Sequence, residues 1–280
     1  MSYYTGKTVV VTGGSAGIGK AIALELARSG ASVVVTARGE TALSATVEEL
    51  QAAGSADATF GYAAFDVSDA EAAQRGIAEA IDQLGHIDIL VCNSGFARCG
   101  TAWDLDSQTF KSLYDVNFLG HVHVVQAVAP HMRERGDGDI CLLSSMLGFF
   151  SVYGYGAYSA SKYAISGFAE ALRQELLFDG VRVKLFYPPT TETPGLEKEN
   201  EDKPPLVWAV ESENSFTKTY TAEQVARSVA ACIPTNRFEN MIGFDSWLVF
   251  TVYRMFPRLA RYLADQELRA AKKKVDARGA

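Results

Sequence analysis

Cysteine is scarce in this chain, and its four thiols, Cys92, Cys99, Cys141 and Cys232, have neither metal-ligand spacing nor the density of a disulfide scaffold. The hydrophobic pattern puts three of them in or beside buried strands, which fits a reducing cytosol. Positive charge is lacking overall. A formal net charge of -7 argues against nucleic acid as a partner, because phosphate backbones call for a basic face. There is no long hydrophobic run. The stretch 140–161 is uncharged, yet its glycines and serines read as strand plus loop rather than as a membrane span. No signal peptide is read at the start, where Met1 leads straight into a strand-like run. What remains is 48% hydrophobic and 21% charged residues over 280 positions, an ordinary soluble composition and a length that suits one α/β domain with a decorated end.

Short β-branched runs alternate with longer amphipathic ones, the pattern of a parallel sheet with helices on both faces. Strands are expected at 7–12, 32–36, 59–65, 87–92, 139–144 and 181–187, and helices at 17–29, 40–53, 69–84, 107–133 and 157–178. The alternation stops at Pro188-Pro189. A polar, proline-bearing segment over 188–220 follows, then a helix from about Thr221 and a short seventh strand near Met241. A connection that long, placed after the sixth strand, reads as a lid over the carboxyl edge of the sheet.

The first strand runs into Thr12-Gly13-Gly14-Ser15-Ala16-Gly17-Ile18-Gly19 and then into the first helix. Glycine permits a tight turn and close approach of backbone to phosphate, and a helix N-terminus offers amide N–H groups to an anion. The second strand ends Val35-Thr36-Ala37-Arg38, without the acid that would hold a ribose 2′-hydroxyl. Arg38 could stack on adenine and pair with a 2′-phosphate, with Ser15 adding a hydroxyl, so NADPH is the expected cofactor.

Tyr158 and Lys162 lie one turn apart if the stretch opens a helix. An ammonium there is expected to lower the phenol pKa and so to equip Tyr158 for proton transfer at a substrate oxygen. The spacing alone decides nothing, since Tyr3 and Lys7 share it. Ser145 lies thirteen residues before Tyr158, with Ser144 as its rival, because neighbours on a strand face opposite sides.

Taken together, the glycine turn, Asn93-Ser94-Gly95, Asn117, Ser145 and Tyr158…Lys162 resemble the short-chain dehydrogenase/reductase family in order and spacing, over roughly residues 5–190. The resemblance implies a single Rossmann-like, doubly wound parallel sheet of about seven strands. It implies Tyr158 as general acid/base, Lys162 as its modulator and ribose ligand, Ser145 on the substrate carbonyl and Asn117 in a proton relay. Cofactor positions carried over are Gly13, Ser15, Gly17, Ile18, Gly19, Arg38, Asp66 and Val67 at adenine, and Asn93 and Gly95 at ribose. Pro188 and the Thr191 amide fall at the nicotinamide end, and the Thr193 hydroxyl at phosphate. Ser94 replaces the usual alanine, and Pro189 replaces the usual glycine of a Pro-Gly pair. His121, His123 and His131 are read as helix-surface or packing residues, and no metal site is expected.

Within the family, Tyr187-Pro188-Pro189-Thr190-Thr191-Glu192-Thr193-Pro194-Gly195, its continuation through Lys203-Pro204, the stretch 154–162, and Gly243-Phe244-Asp245 are similar to 3-ketodihydrosphingosine reductases. That similarity implies NADPH-dependent reduction of the 3-keto group of a long-chain sphingoid base at the cytosolic face of a membrane. A steroid or another apolar carbonyl is the alternative substrate, and a non-catalytic NADP-sensing protein the alternative class. The expected division is a catalytic domain over 1–245 and an extension over 246–280. In the extension, Leu248, Val252, Met255, Phe256, Leu259 and Leu263 recur at helical spacing, and 254–278 carries eight Lys/Arg against three Asp/Glu. Pro257 is expected to kink it, and peripheral membrane contact through 246–278, a domain-covering helix or a subunit contact would each explain it. A cytoplasmic homodimer or homotetramer is the family expectation, with 107–133 and 157–178 as the subunit contacts.

Overall fold

The computed structural model describes residues 2–213 and 218–279. A seven-stranded, wholly parallel sheet forms its centre. The strands are β1 (Thr8–Thr12), β2 (Ser32–Ala37), β3 (Phe60–Ala64), β4 (Ile89–Cys92), β5 (Gly138–Leu143), β6 (Val181–Phe186) and, after a two-stranded parallel pair of β7 (Thr191–Glu192) with β8 (Tyr220–Thr221), β9 (Glu239–Asn240). Their order in the large sheet is β3-β2-β1-β4-β5-β6-β9. The chain therefore reverses direction of travel across the sheet between β1 and β4, which opens a crevice at the carboxyl ends of those two strands.

Side-chain alternation divides the core into two layers. Val10, Leu90 and Ile140 face one side of the sheet, and Val9, Val11, Ile89 and Cys141 face the other. The first side is covered by α3 (Ala70–Leu84), α5 (Gly120–Arg135) and α6 (Gly156–Glu175), through Ile77, Val128 and Ile165. The second is covered by α1 (Gly17–Arg28), α2 (Glu40–Ala53) and α9 (Ala222–Cys232), through Ile22, Leu43 and Val229. Both faces of every central strand are thus dry, which is why these strands read as unbroken apolar runs. All four cysteines are buried and unpaired.

Two departures from the sequence expectation concern the site. The single helix expected over 107–133 consists of α4 (Ser107–Tyr114), a π turn at Asp115–Leu119, and α5, run together without a break. The lid segment contains two helices, α7 (Pro194–Glu201) and α8 (Pro205–Glu213). Beyond β9, Gly243 (φ 77°) opens α10 (Gly243–Met255). The chain breaks at Phe256, and Pro257 starts α11 (Pro257–Gly279). Proline suits that first position, since its missing N–H has no partner there anyway. Trp247, Phe250 and Tyr253 of α10 join an aromatic stack with Phe149, Phe150 and Tyr187, so the start of the extension is part of the core.

Candidate active site

The turn after β1 is made possible by glycine at each narrow point. Gly13 and Gly17 have φ of 66° and 53°. A β-carbon on Gly14 would come within 2.6 Å of Val35, and one on Gly19 within 2.2 Å of the Gly13 carbonyl oxygen. Asn93, at the end of β4, donates from Nδ2 to the Thr12 carbonyl at 3.0 Å and the Gly13 carbonyl at 3.4 Å. The Asn93 and Ser94 amides donate to Thr12 Oγ1. The Asn93 side-chain amide thereby shapes the turn.

The helix that follows, like α2, α6 and α10, has no side-chain cap at its N-terminus. Asp69, Asp106, Thr193 and Thr221 cap α3, α4, α7 and α9 with side-chain oxygens. Ala16, at the N-cap of α1, makes no such bond. First-turn amides need acceptors, and here the sequence supplies none. An uncapped helix end beneath a glycine cradle fits the diphosphate of a dinucleotide. Ser15 lies in the turn and Ile18 in the first turn of α1. Thr193 reaches the same place from the lid, its Cγ2 lying 3.2 Å from where a Gly17 β-carbon would stand, while its hydroxyl accepts from the Leu196 amide.

Farther along the edge, Arg38 projects from the end of β2, largely exposed and 3.9 Å from the Asp66 carboxylate. Asp66 Oδ1 in turn accepts from the Ser68 amide and hydroxyl at 2.9 and 2.7 Å. Val67 packs against Gly120, and its carbonyl accepts from His123. Thr191 is buried in β7, with its hydroxyl on the Pro189 carbonyl, and the Pro188 carbonyl accepts from the Met146 amide at 3.0 Å.

The catalytic candidates converge below this edge. Tyr158 stands in the first turn of α6, near enough to Ser145, which follows β5 in extended conformation, for the serine hydroxyl to act on its phenol. Ser144 turns the other way. Its Oγ is buried and donates to the Lys162 carbonyl at 2.9 Å, so the two serines have separate roles. Lys162 is buried and donates from Nζ to the Leu143 carbonyl at 3.2 Å, with Nζ 5.8 Å from the Tyr158 ring centre. Asn117 lies in the π turn, where the widened backbone carries its side chain inward. Its Oδ1 accepts from the Phe96 amide, and its Nδ2 donates to the Phe96 carbonyl and to Ser161. Gly95 closes the group: a β-carbon there would lie 3.0 Å from Asn117 Oδ1 and 3.4 Å from Lys162 Nζ.

The electrostatics correct one expectation. Burial pushes the Tyr158 phenol up to about 12, against a lowering from the nearby Ser145 hydroxyl and with a further rise from the Glu199 carboxylate. Burial brings Lys162 down to about 7. Desolvation disfavours both charged forms and outweighs the attraction expected between ammonium and phenolate. As built, Tyr158 is a protonated donor poised to serve a carbonyl oxygen.

Four residues that the sequence left without a role border Tyr158. Tyr155 OH contacts the carboxylates of Glu199 on α7 and Glu211 on α8. Lys203, between those helices, pairs with Glu211 at 2.6 Å and Glu199 at 3.2 Å. The Glu199–Lys203 spacing is visible in the chain, whereas Glu211 and Tyr155 meet it only through the fold. His121 takes the packing alternative of its two readings. It lies deep under the site rather than on a helix surface, with Nε2 donating to the Cys92 carbonyl at 2.8 Å, and burial brings its pKa down to about 3. Among the described residues no group of side chains could hold a metal ion.

Comparison with known proteins agrees with this geometry. The family model described as short chain dehydrogenase matches residues 7–204. A 3-ketodihydrosphingosine reductase of Bos taurus is 37% identical over 87% of this chain and 73% of its own length. The 3-dehydrosphinganine reductase TSC10B of Arabidopsis thaliana is 37% identical over 84% of this chain and 70% of its own. Levodione reductase, a solved structure 23% identical, superposes with a TM-score of 0.77 over 85% of this chain and 96% of that one.

Proposed function

The chain belongs to the short-chain dehydrogenase family and is a nicotinamide-dependent oxidoreductase, and from that premise we propose that it reduces the 3-keto group of a long-chain sphingoid base with NADPH. The observation that carries the reading is the convergence of Ser145, Tyr158 and buried Lys162, in a chain matched along most of its length by relatives named as 3-ketodihydrosphingosine and 3-dehydrosphinganine reductases. The absence of an acid after β2, together with exposed Arg38, supports NADPH over NADH.

Ser145 and Tyr158 hold the carbonyl oxygen from one side, and the Tyr158 hydroxyl gives it a proton. A bound nicotinamide supplies the hydride that arrives at the carbonyl carbon. Lys162 steadies the ribose and provides the charge against which the tyrosinate is formed and reprotonated. Asn117, with its amide held by Phe96 and Ser161, keeps the π turn open beside Lys162. Gly13, Gly17, Gly19, Ser15, Ile18 and Thr193 take the phosphates, Arg38, Asp66 and Val67 the adenosine, and Asn93, Gly95, Pro188 and Thr191 the nicotinamide riboside.

Peripheral contact with a cytosolic membrane face belongs to the same reading. Phe244, Leu248, Met255, Phe256, Leu259 and Leu263 are exposed large apolar side chains on α10, on α11 and at the break between them, beside the exposed Arg258 and Arg261. No helix among the described residues is long and apolar enough to cross a membrane. Exposed Phe110, Tyr114 and Tyr163 on α4 and α6 support pairing of that face with a second copy.

The test is NADPH consumption with 3-ketodihydrosphingosine beside a ketosteroid and a retinal. The keto-sphingoid base is expected to be the preferred substrate, NADPH to outperform NADH, and Tyr158→Phe to lose roughly 10³-fold in kcat. Preference for the ketosteroid would replace the substrate assignment, and full activity in Tyr158→Phe would remove the mechanism.

A further inference from the structure

The knot between Tyr155 and the lid does not balance. Glu199 and Glu211 bring two carboxylates, and Lys203 is the one cation that meets them among the described residues. Tyr155 touches both acids but has a single proton to give. Lys203 is wholly buried and leans towards Glu211, while its ring neighbours, Tyr155 and Trp208 at 5.9 and 5.0 Å, fix it in place. One negative charge is left over, and it falls on Glu199, whose side chain is only 10% exposed. The neighbouring Asn200 also keeps a buried Oδ1 that has no partner among the described residues. A buried carboxylate that must share its cation with a second acid is costly, and a cation arriving from outside would reduce the cost.

The position of that charge gives the imbalance its meaning. Tyr155 packs on Tyr158 with ring centres 6.3 Å apart, and Glu199 is close enough to Tyr158 for its charge to act on the phenol. The surplus anion therefore sits beside the group that serves the substrate carbonyl. A keto-sphingoid base carries a primary amine on the carbon next to that carbonyl, and the amine is an ammonium when protonated. Steroids and simple long-chain ketones have nothing comparable.

Resting on the keto-sphingoid reading above, we propose that Glu199 is a specificity-determining residue that receives the substrate's 2-ammonium group, with Lys203, Glu211 and Tyr155 holding its carboxylate in place. Selection would then depend on the charged head of the substrate and not only on its apolar tail.

The experiment compares kcat/KM for 3-ketodihydrosphingosine with that for its N-acetyl derivative and for a long-chain 3-ketone lacking the amine. In the wild type the amine should raise kcat/KM by tenfold or more. In Glu199→Gln that ratio should fall roughly ten- to hundredfold, the usual range for losing a hydrogen bond to a charged group. Glu199→Asp should recover part of it. Asp202→Asn, which removes a lid charge paired with Arg98 at the surface, should leave the ratio unchanged. An equal loss on amine-bearing and amine-free ketones in Glu199→Gln would make the residue structural and overturn the inference while leaving the substrate assignment intact. Failure of the wild type to reduce the keto-sphingoid base at all would overturn the assignment, and this inference with it. The wild-type preference for the free amine over the N-acetyl form needs no variant, and its absence overturns the inference even where Glu199→Gln does not fold.

Discussion

Lys162 is held at a pKa of about 7, where a free lysine stands at 10.5, and that displacement has a sign in stability as well as in activity. Between those two values the unfolded chain binds the proton and the folded chain does not, so stability rises with pH across the window. The cost of burying the ammonium is fully present below about pH 7 and relieved towards 10.5. Lys162→Met should therefore raise Tm most near pH 6, by several degrees or about 2 kcal/mol, with the gain shrinking by pH 9. Thermal melts across pH read this directly, and a gain independent of pH would refute it. The same variant should lose on the order of 10²-fold in activity. Tyr158 and Lys162 were legible as a pair one helical turn apart, and Asn117 only through the resemblance to the family. Ser145 was legible only as one of a pair. Alternation put Ser144 and Ser145 on opposite faces, and it took the Lys162 carbonyl, reached by Ser144 Oγ, to tell which face was which. Glu199 could not be singled out at all, because what distinguishes it is an incomplete balance among residues up to 56 positions apart.

The glycine turn and the π turn show two ways in which an element can be written in a sequence. The glycine turn was plain, since only glycine tolerates its contacts. A methyl group on Gly19 would meet the Gly13 carbonyl oxygen at 2.2 Å, so the turn must open to admit it. Gly19→Ala is expected to weaken NADPH binding by tenfold or more in a fluorescence titration. It should also melt earlier, by roughly 1–3 kcal/mol. Unchanged affinity would place the diphosphate elsewhere. The π turn at Asp115–Leu119 was invisible. It inserts one extra residue into a helical ladder whose neighbours, Leu113, Val116 and Phe118, are apolar on either register, so periodicity could not register the slip. The lid was recognised from its place in the chain. Its helices were not, since Pro188-Pro189, Pro194 and Pro204-Pro205 read as interruptions until the structure placed Pro194 and Pro205 at helix starts.

For the molecule as a whole, the parallel sheet with helices on both faces followed from the alternation of apolar runs, and its first six strands were placed to within about two residues, whereas the order of the strands was seen only in the fold. The extension was only half legible. Its helical spacing and the interruption at Pro257 were legible, but not that the break at Phe256 divides it into a segment that packs into the core and another whose large apolar side chains remain outside. If that outer face meets a membrane, the protein should sediment with phosphatidylserine-containing vesicles, less so in high salt, and the double variant Phe256→Glu, Leu259→Glu should stay in the supernatant. A wild type that remains in the supernatant would leave the face to another role. A different consequence follows from the seating of α9. It lies on α1, with Val225, Val229 and Ile233 against the same core layer as Ile22 and Leu26. Helix α1 therefore finds this cover only when synthesis has passed through α9. Closing so long a loop is slow, and a nascent chain cut before residue 222 would present that apolar surface to chaperones rather than to itself.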